Sequence, residues 1–233
     1  MSARQVGLTP RLTAALSMLA GSRVVADVGS DHGRLAAALI QRGVCERVIA
    51  TDVSDASLLK GRQLIGYIGL QDRVTFRVGD GLTVLTPGEC DAIALLGMGG
   101  TLMCDILEAV GEPLRGAASA VFQPMRAQCD IRAYLYRHGY HITDDRVIPE
   151  RERLYQVFRA VPAKTVQPLP EGFPEGFFDV GYVSFANRDS NLPALCRQQL
   201  AQHEKQLRTA MGTDGEAKLA EKAAALQQIL RAF

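Results

Sequence analysis

Residues 23–34 read RVVADVGSDHGR: a short apolar run, an aspartate at its end, then a glycine, three polar residues and a second glycine before a helix-forming segment. Strand, tight turn and helix in that order form the repeating unit of a parallel sheet covered by helices. The chain repeats it. Apolar runs at Arg23–Val28, Arg47–Thr51, Arg73–Val78, Asp91–Leu96 and Ala118–Gln123 are predicted strands, rich enough in Val, Ile, Ala and Leu to be covered on both faces. Helical patterns at Arg34–Gln41, Ser54–Gly66, Thr101–Val110 and Ala127–Arg137 alternate with them, and Tyr140–Ile148 and Arg153–Ala160 read as two further strands that could pair at the sheet edge. Before the first strand, apolar residues at 12, 15, 16 and 19 give Thr9–Leu19 the spacing of an amphipathic helix.

The 233 residues are 47% hydrophobic and 22% charged, a composition for one large or two small globular domains. Disordered, collagenous and purely coiled-coil classes are excluded. No run approaches the roughly 18 to 20 apolar residues that a bilayer span needs, and the first residues lack an apolar leader, so a cytoplasmic protein without membrane contact is expected. Five scattered cysteines, none in a CxxC spacing, predict reduced thiols and no metal. With 26 Lys plus Arg against 25 Asp plus Glu, the net charge is +1, so any surface for a polyanion must be local. Residues 1–161 are expected to form the α/β domain. The Pro- and Gly-rich stretch 162–189 reads as a linker, and 190–233 reads as a helical hairpin with a short turn at 211–215. The oligomeric state stays open, with a monomer favoured.

Chemistry concentrates at the predicted strand ends. Gly29 and Gly33 let the backbone of Gly29-Ser30-Asp31-His32-Gly33 turn sharply against a ligand, beside the free amides of the next helix. The GxGxxG dinucleotide fingerprint is absent. Asp31 stands where a pyrophosphate would have to approach; it repels a diphosphate and suits a cationic amino-acid tail. Asp52 ends the second strand, where such folds present a carboxylate to a ribose diol, and Asp80-Gly81 follows the third as an acceptor for an adenine edge. Ribose, adenine and a positive sulfonium without phosphate describe S-adenosylmethionine better than NAD. Each residue also has a plainer reading: Asp27 as structural, His32 as scaffold, Asp52 as a helix cap, Asp80 as a turn former. Gly97-Met98-Gly99-Gly100 after the fourth strand either packs the next helix closely or lets backbone grip the edge of a planar base. Arg11, Arg34, Arg126 and Arg132, near the cofactor loop or after the fifth strand, make a candidate phosphate-binding rim.

ADVGSDHGRL, GDGL, LLGMGGTLMCDIL and VFQPMRAQCDIRAYLYRHGY together resemble the bacterial tRNA (adenine-22-N1)-methyltransferase family, the TrmK type, over nearly the whole chain. LTPRLTAALSML is similar to that family's first helix and IPERERLYQVFRA to its edge strands. The resemblance implies a Rossmann-like class I methyltransferase domain with a C-terminal α-helical hairpin, S-adenosylmethionine as cofactor and tRNA as partner. It implies a cofactor site of Asp27, Gly29–Gly33, Asp52, Asp80, Gly81 and Gly97, and a base floor of Met98, Gly99 and Gly100. Asp31 is the candidate catalytic carboxylate. A small-molecule methyltransferase and a non-catalytic cofactor-binding module that docks RNA or protein are the alternatives.

Overall fold

The computed structural model describes residues 5–111, 113–210 and 215–233. One seven-stranded sheet organises the chain, with β1 (Val24–Val28), β2 (Arg47–Asp52), β3 (Val74–Val78), β4 (Ala92–Leu96), β5 (Ser119–Gln123), β6 (Tyr140–Glu150) and β7 (Arg153–Pro162) in the order β3-β2-β1-β4-β5-β7-β6. The first five run parallel. β7 enters antiparallel between β5 and β6, so the edge hairpin expected from sequence forms with its second strand inward. Helices α1 (Pro10–Met18), α2 (Arg34–Gln41), α3 (Asp55–Tyr67), α4 (Gly100–Glu108) and α5 (Gln128–Arg137) lie within about two residues of their predicted limits. Ala26 pairs with both Ile49 and Ile93, which places β1 at the centre of the parallel set.

Apolar side chains form a core on each face of the sheet. α1 and α2, with Leu16, Leu35, Leu39 and Ile40 buried, cover one face; α4 and α5, with Met103, Ile106, Ile131 and Leu135, cover the other. The right-handed crossovers this requires reverse direction between β1 and β4, opening a crevice at the carboxyl ends of those strands. Register brings the ends level: Val28 pairs with Thr51, Asp52 with Val78, and Leu96 with Gln123.

The stretch 162–189 is no linker. Phe173, Phe177, Phe178, Val180 and Tyr182 are buried in the α4–α5 side of the core, and the short helix α6 (Tyr182–Ala186) sits within it. Prolines and glycines signal irregular backbone, and here that backbone carries enough aromatic surface to pack. Gln167 extends the contact by hydrogen bonding both the N–H (2.8 Å) and the carbonyl (3.0 Å) of Ile142. The last two helices, α7 (Leu192–Ala210) and α8 (Gly215–Arg231), join the same core through Leu195, Cys196, Leu226 and Ile229. The turn expected between them lies outside the described residues apart from Gly215.

Candidate functional site

The strand-end loops are stitched together by backbone hydrogen bonds. Gly29 and Ser30 N–H groups both donate to the Thr51 carbonyl (2.8 and 2.9 Å), and Gly79 donates to that of Asp52 (2.9 Å). On the other side of the crevice Gly97 donates to Gln123, Met125 to Met98 and Gly100 to Arg126, each at 2.9 Å. The ends of β1, β2 and β3 are thus joined on one side and those of β4 and β5 on the other. Met98 reaches across the crevice, its terminal methyl lying 3.0 Å from where a Cβ on Gly29 would stand.

In the first loop the buried Asp27 accepts a 2.7 Å hydrogen bond from the Ser30 hydroxyl. Burial pushes the Asp27 carboxyl up from 3.8 to about 6, with the Ser30 bond opposing and the charge of Asp52 assisting. Folding therefore favours its neutral form more than the unfolded chain does. The resulting contribution to stability is complete below the ordinary carboxylate range and is lost as pH rises through about 6. Relative to Asp27→Asn, the wild type should lose stability, on the order of 1 kcal/mol, between pH 5 and pH 8. Denaturant melts of both proteins across that range check this, and a constant difference contradicts it.

Asp31 adopts a left-handed backbone (φ 45°), a conformation that Asp tolerates better than most side chains, and Gly33 follows at φ 65°. A Cβ on Gly33 would lie 3.0 Å from the Gly61 Cα, so two glycines let the start of α2 meet α3. The Asp31 carboxylate contacts His32 Nδ1, and Lys60 Nζ lies 3.3 Å from His32 Nε2. Lysine can only donate; Nε2 is therefore the acceptor, and the ring proton sits on Nδ1 facing Asp31. His32 is thereby committed to the loop and to α3, which favours scaffold over base.

Asp52 and Asp80 each keep acceptor capacity. Asp52 Oδ1 takes the Ser54 amide at 2.9 Å, while the hydroxyl of Ser54 itself caps α3 by accepting from Ser57 N–H. Oδ2 of Asp52 has no hydrogen-bond partner among the described residues. The turn after β3 is closed by the Asp80 carbonyl, which accepts from Thr83 N–H and Oγ1, so the exposed carboxylate is not spent on turn formation. Gly81, at φ 51°, passes so close to α4 that a Cβ would lie 2.9 Å from Ile106.

The glycine run divides by position. A Cβ on Gly100 would fall 2.0 Å from the Ala127 carbonyl oxygen, so this residue is dictated by packing. Gly97, exposed at φ 80° with open space beside it, leaves the floor of the crevice free.

The four arginines expected at the rim separate. Arg126 is exposed there and pairs as an isolated bridge with Gly99. Arg34 donates to the Gly7 carbonyl at 2.7 Å, and Arg11 pairs with Glu150 at 3.6 Å and stacks on Tyr155 at 4.8 Å. Arg132 is not a rim residue: it is fully buried, forks onto Asp145 at 3.0 Å and stacks over Phe158 at 4.4 Å. Its position on α5 faces inward, and helix periodicity alone does not separate that face from the outer one when the buried residue is charged.

Sequence reading missed Val53 and Val78, which are 68% and 48% exposed beside Asp52. An apolar residue directly after an acidic strand end is the signal that could have found Val53, whereas Val78, the last residue of β3, comes beside Asp52 only through strand register. Together they offer an apolar face next to the carboxylates of Asp52 and Asp80, as a nucleoside needs.

A hollow of about 1040 Å³ lies on another flank, between α4, α5, residues 174–179 and α8, and takes in none of these strand-end residues. All five cysteines are free thiols that burial pushes up to between about 11 and about 12, including Cys104 and Cys129 of that hollow, so no thiolate nucleophile is available near neutrality. Among the described residues no helix is long and apolar enough to cross a membrane, and no group of three His, Cys, Asp or Glu is placed to hold a metal.

A family model described as a methyltransferase domain matches residues 8–158, ending within β7. A curated relative, the tRNA (adenine(22)-N(1))-methyltransferase of Bacillus subtilis strain 168, is 33% identical over 156 residues, covering 67% of this chain and 66% of the relative's length. The crystal structure of the B. subtilis m1A22 tRNA methyltransferase TrmK superposes with a TM-score of 0.84 at 26% identity, over 97% of this chain and 99% of that one. A Streptococcus pneumoniae chain in complex with S-adenosyl-L-methionine gives 0.80 at 24% identity, over 96% of this chain and all of that one.

Proposed function

The chain belongs to the methyltransferase-domain family, in its TrmK branch, and from that premise we infer that it transfers the methyl group of S-adenosylmethionine to N1 of an adenine in tRNA, at position 22 by kinship with the B. subtilis enzyme. The observation that carries this reading is the stitched crevice. Its acceptors are carboxylates with unspent oxygens, its exposed flank is apolar, and its floor at Gly97 is open. Such a lining fits a nucleoside with a cationic tail and no phosphate.

Bound there, S-adenosylmethionine would supply an electrophilic methyl group on its sulfonium. Asp52 would hold the ribose diol through Oδ2, and Asp80 with Gly81 the adenine amine. Val53 and Val78 would flank the purine ring. Gly29 to Gly33 would turn the backbone around the amino-acid tail, with Asp27 and Ser30 fixing that loop from below and Asp31 facing the ammonium end. Gly97 to Gly100 would leave a berth for the target base, which must swing out of the folded RNA to reach it.

An adenine N1 already has the lone pair needed for attack, so the chain must align the base and exclude water rather than provide a nucleophile. Methylation leaves the base cationic or lets it shed an N6 proton. A carboxylate that accepts a hydrogen bond from the N6 amine stabilises the charge as it develops. Asp31 is assigned that role through the carboxylate oxygen not turned to His32, and Asp31→Ala should lower turnover at saturating S-adenosylmethionine at least tenfold, beyond any loss of S-adenosylhomocysteine affinity. Unchanged turnover removes Asp31 from the chemistry. Action on tRNA is consistent with a cytoplasmic location, which is part of the proposed reading.

The reading as a whole is tested by incubating the purified chain with labelled S-adenosylmethionine and unmodified tRNA, then analysing the nucleosides. Label in 1-methyladenosine is expected. Label appearing only in small molecules from a metabolite extract contradicts it.

A further inference from the structure

β5 and β7 pair only from Ala120↔Ala160 to Phe122↔Phe158, whereas β6 and β7 pair with each other as far as Glu150↔Arg153. Counting on from Phe122↔Phe158 puts Gln123 level with Val157. Four residues of β7 therefore rise above the carboxyl edge of the sheet, about 13 Å at strand spacing. The result is a two-stranded arm, two strand spacings or about 10 Å from the Gly97–Gly100 floor. An unsupported ribbon of that kind is only marginally ordered in water. This one is braced by α1: the Arg11 guanidinium stacks on Tyr155 of the arm and pairs with Glu150, whose Oε2 also accepts the Arg11 amide at 3.2 Å.

The brace also settles the charge at the tip. Glu150 is neutralised by Arg11, and Arg146 lower on the arm is taken by Asp144, leaving Glu152 between Arg151 and Arg153. Arg151, Arg153 and, in the loop after β5, Arg126 are exposed and make no ion pair or side-chain hydrogen bond among the described residues. Arg151 sits in the hairpin turn at φ 56°, a conformation that glycine adopts more freely, so turn formation does not account for the side chain there.

We propose that this arm is a phosphate clamp: Arg151 and Arg153 at its tip, with Arg126 beside Gly99 at the crevice floor, grip the RNA backbone beside the base presented to the crevice. Guanidinium forks left unpaired by the protein suit phosphodiester oxygens, and a chain of net charge +1 needs such a local site to hold a polyanion. Arg11 is a positioning residue that acts through the arm. The inference rests on the tRNA methyltransferase reading and deepens it.

The test compares the wild type, Arg151→Ala/Arg153→Ala and Arg151→Lys/Arg153→Lys, all full length. The readouts are binding of an unmodified tRNA transcript across salt concentration, methyl transfer, and S-adenosylhomocysteine affinity. The alanine pair should weaken tRNA binding at least tenfold at 0.15 M salt and flatten the slope of log affinity against log salt by about one to two. S-adenosylhomocysteine affinity should stay within twofold, and the lysine pair should recover most of the slope. A wild-type affinity and slope in the alanine pair, or weaker binding with an unchanged slope, overturns the clamp while leaving the methyltransferase reading intact. A wild type that neither binds nor methylates tRNA overturns both.

Discussion

Arg132→Ala is expected to destabilise the chain by about 3–5 kcal/mol, because it leaves the Asp145 carboxylate buried without its counter-charge. Both side chains are fully buried, and Arg132 donates to both oxygens of Asp145 at 3.0 and 3.2 Å. Burial already pushes the Asp145 carboxyl above its usual range, with Arg132 pulling it back; without the arginine it would have to take up a proton or open to water. The surroundings leave little room for repair. A Cβ on Gly181 would lie 1.8 Å from Asp145 Oδ2, and Phe158 and Tyr182 close the site. The pair joins α5 to β6, and so fixes the arm's root rather than its RNA-facing tip. Urea denaturation should show the loss. Arg132→Met with Asp145→Leu should cost less than the sum of the single changes, since both charges go together. An Arg132→Ala protein as stable as wild type but weakened in tRNA binding would return Arg132 to the rim.

For Asp52→Ala, S-adenosylhomocysteine affinity should fall about 10- to 100-fold, the loss of charge-assisted hydrogen bonds worth about 1.5–3 kcal/mol. Asp52 serves two structures at once. Oδ1 holds the Ser54 amide at the start of α3, and Oδ2 is the oxygen left for the ribose. Asp52→Asn separates these roles: it keeps an acceptor for Ser54 and removes the charge presented to the diol. Calorimetric titration of both variants should show a reduced affinity for each, with only the alanine variant also melting earlier. Affinity within twofold of wild type in both would remove Asp52 from the cofactor site.

The parallel sheet was readable because a strand covered on both faces has a distinctive run of apolar residues, and the glycine turns before α2 and α4 mark where β1 and β4 stop. The crevice followed from the same signals, since Asp27, Asp52, Asp80 and Gly97 all lie at strand ends that register brings level. What escaped depends on contacts between distant residues. Arg132 looked like its neighbours on α5 because nothing local announces a partner thirteen residues away on β6. The stretch 162–189 looked like a linker because its prolines and glycines outweigh, in a local window, the aromatic residues that bury it. The arm is invisible in sequence for another reason: its height above the sheet comes from β7 pairing far longer with β6 than with β5.

One structure determination bears most directly on the sulfonium-nucleoside crevice, that of the chain crystallised with S-adenosylhomocysteine. The ligand should span the carboxyl ends of β1, β2 and β4, its ribose on Asp52, its adenine between Val53, Val78 and Asp80, and its sulfur beside Gly97. Density for it in the hollow between α4, α5 and α8 instead, with the strand-end crevice closed by side chains, would contradict the assignment.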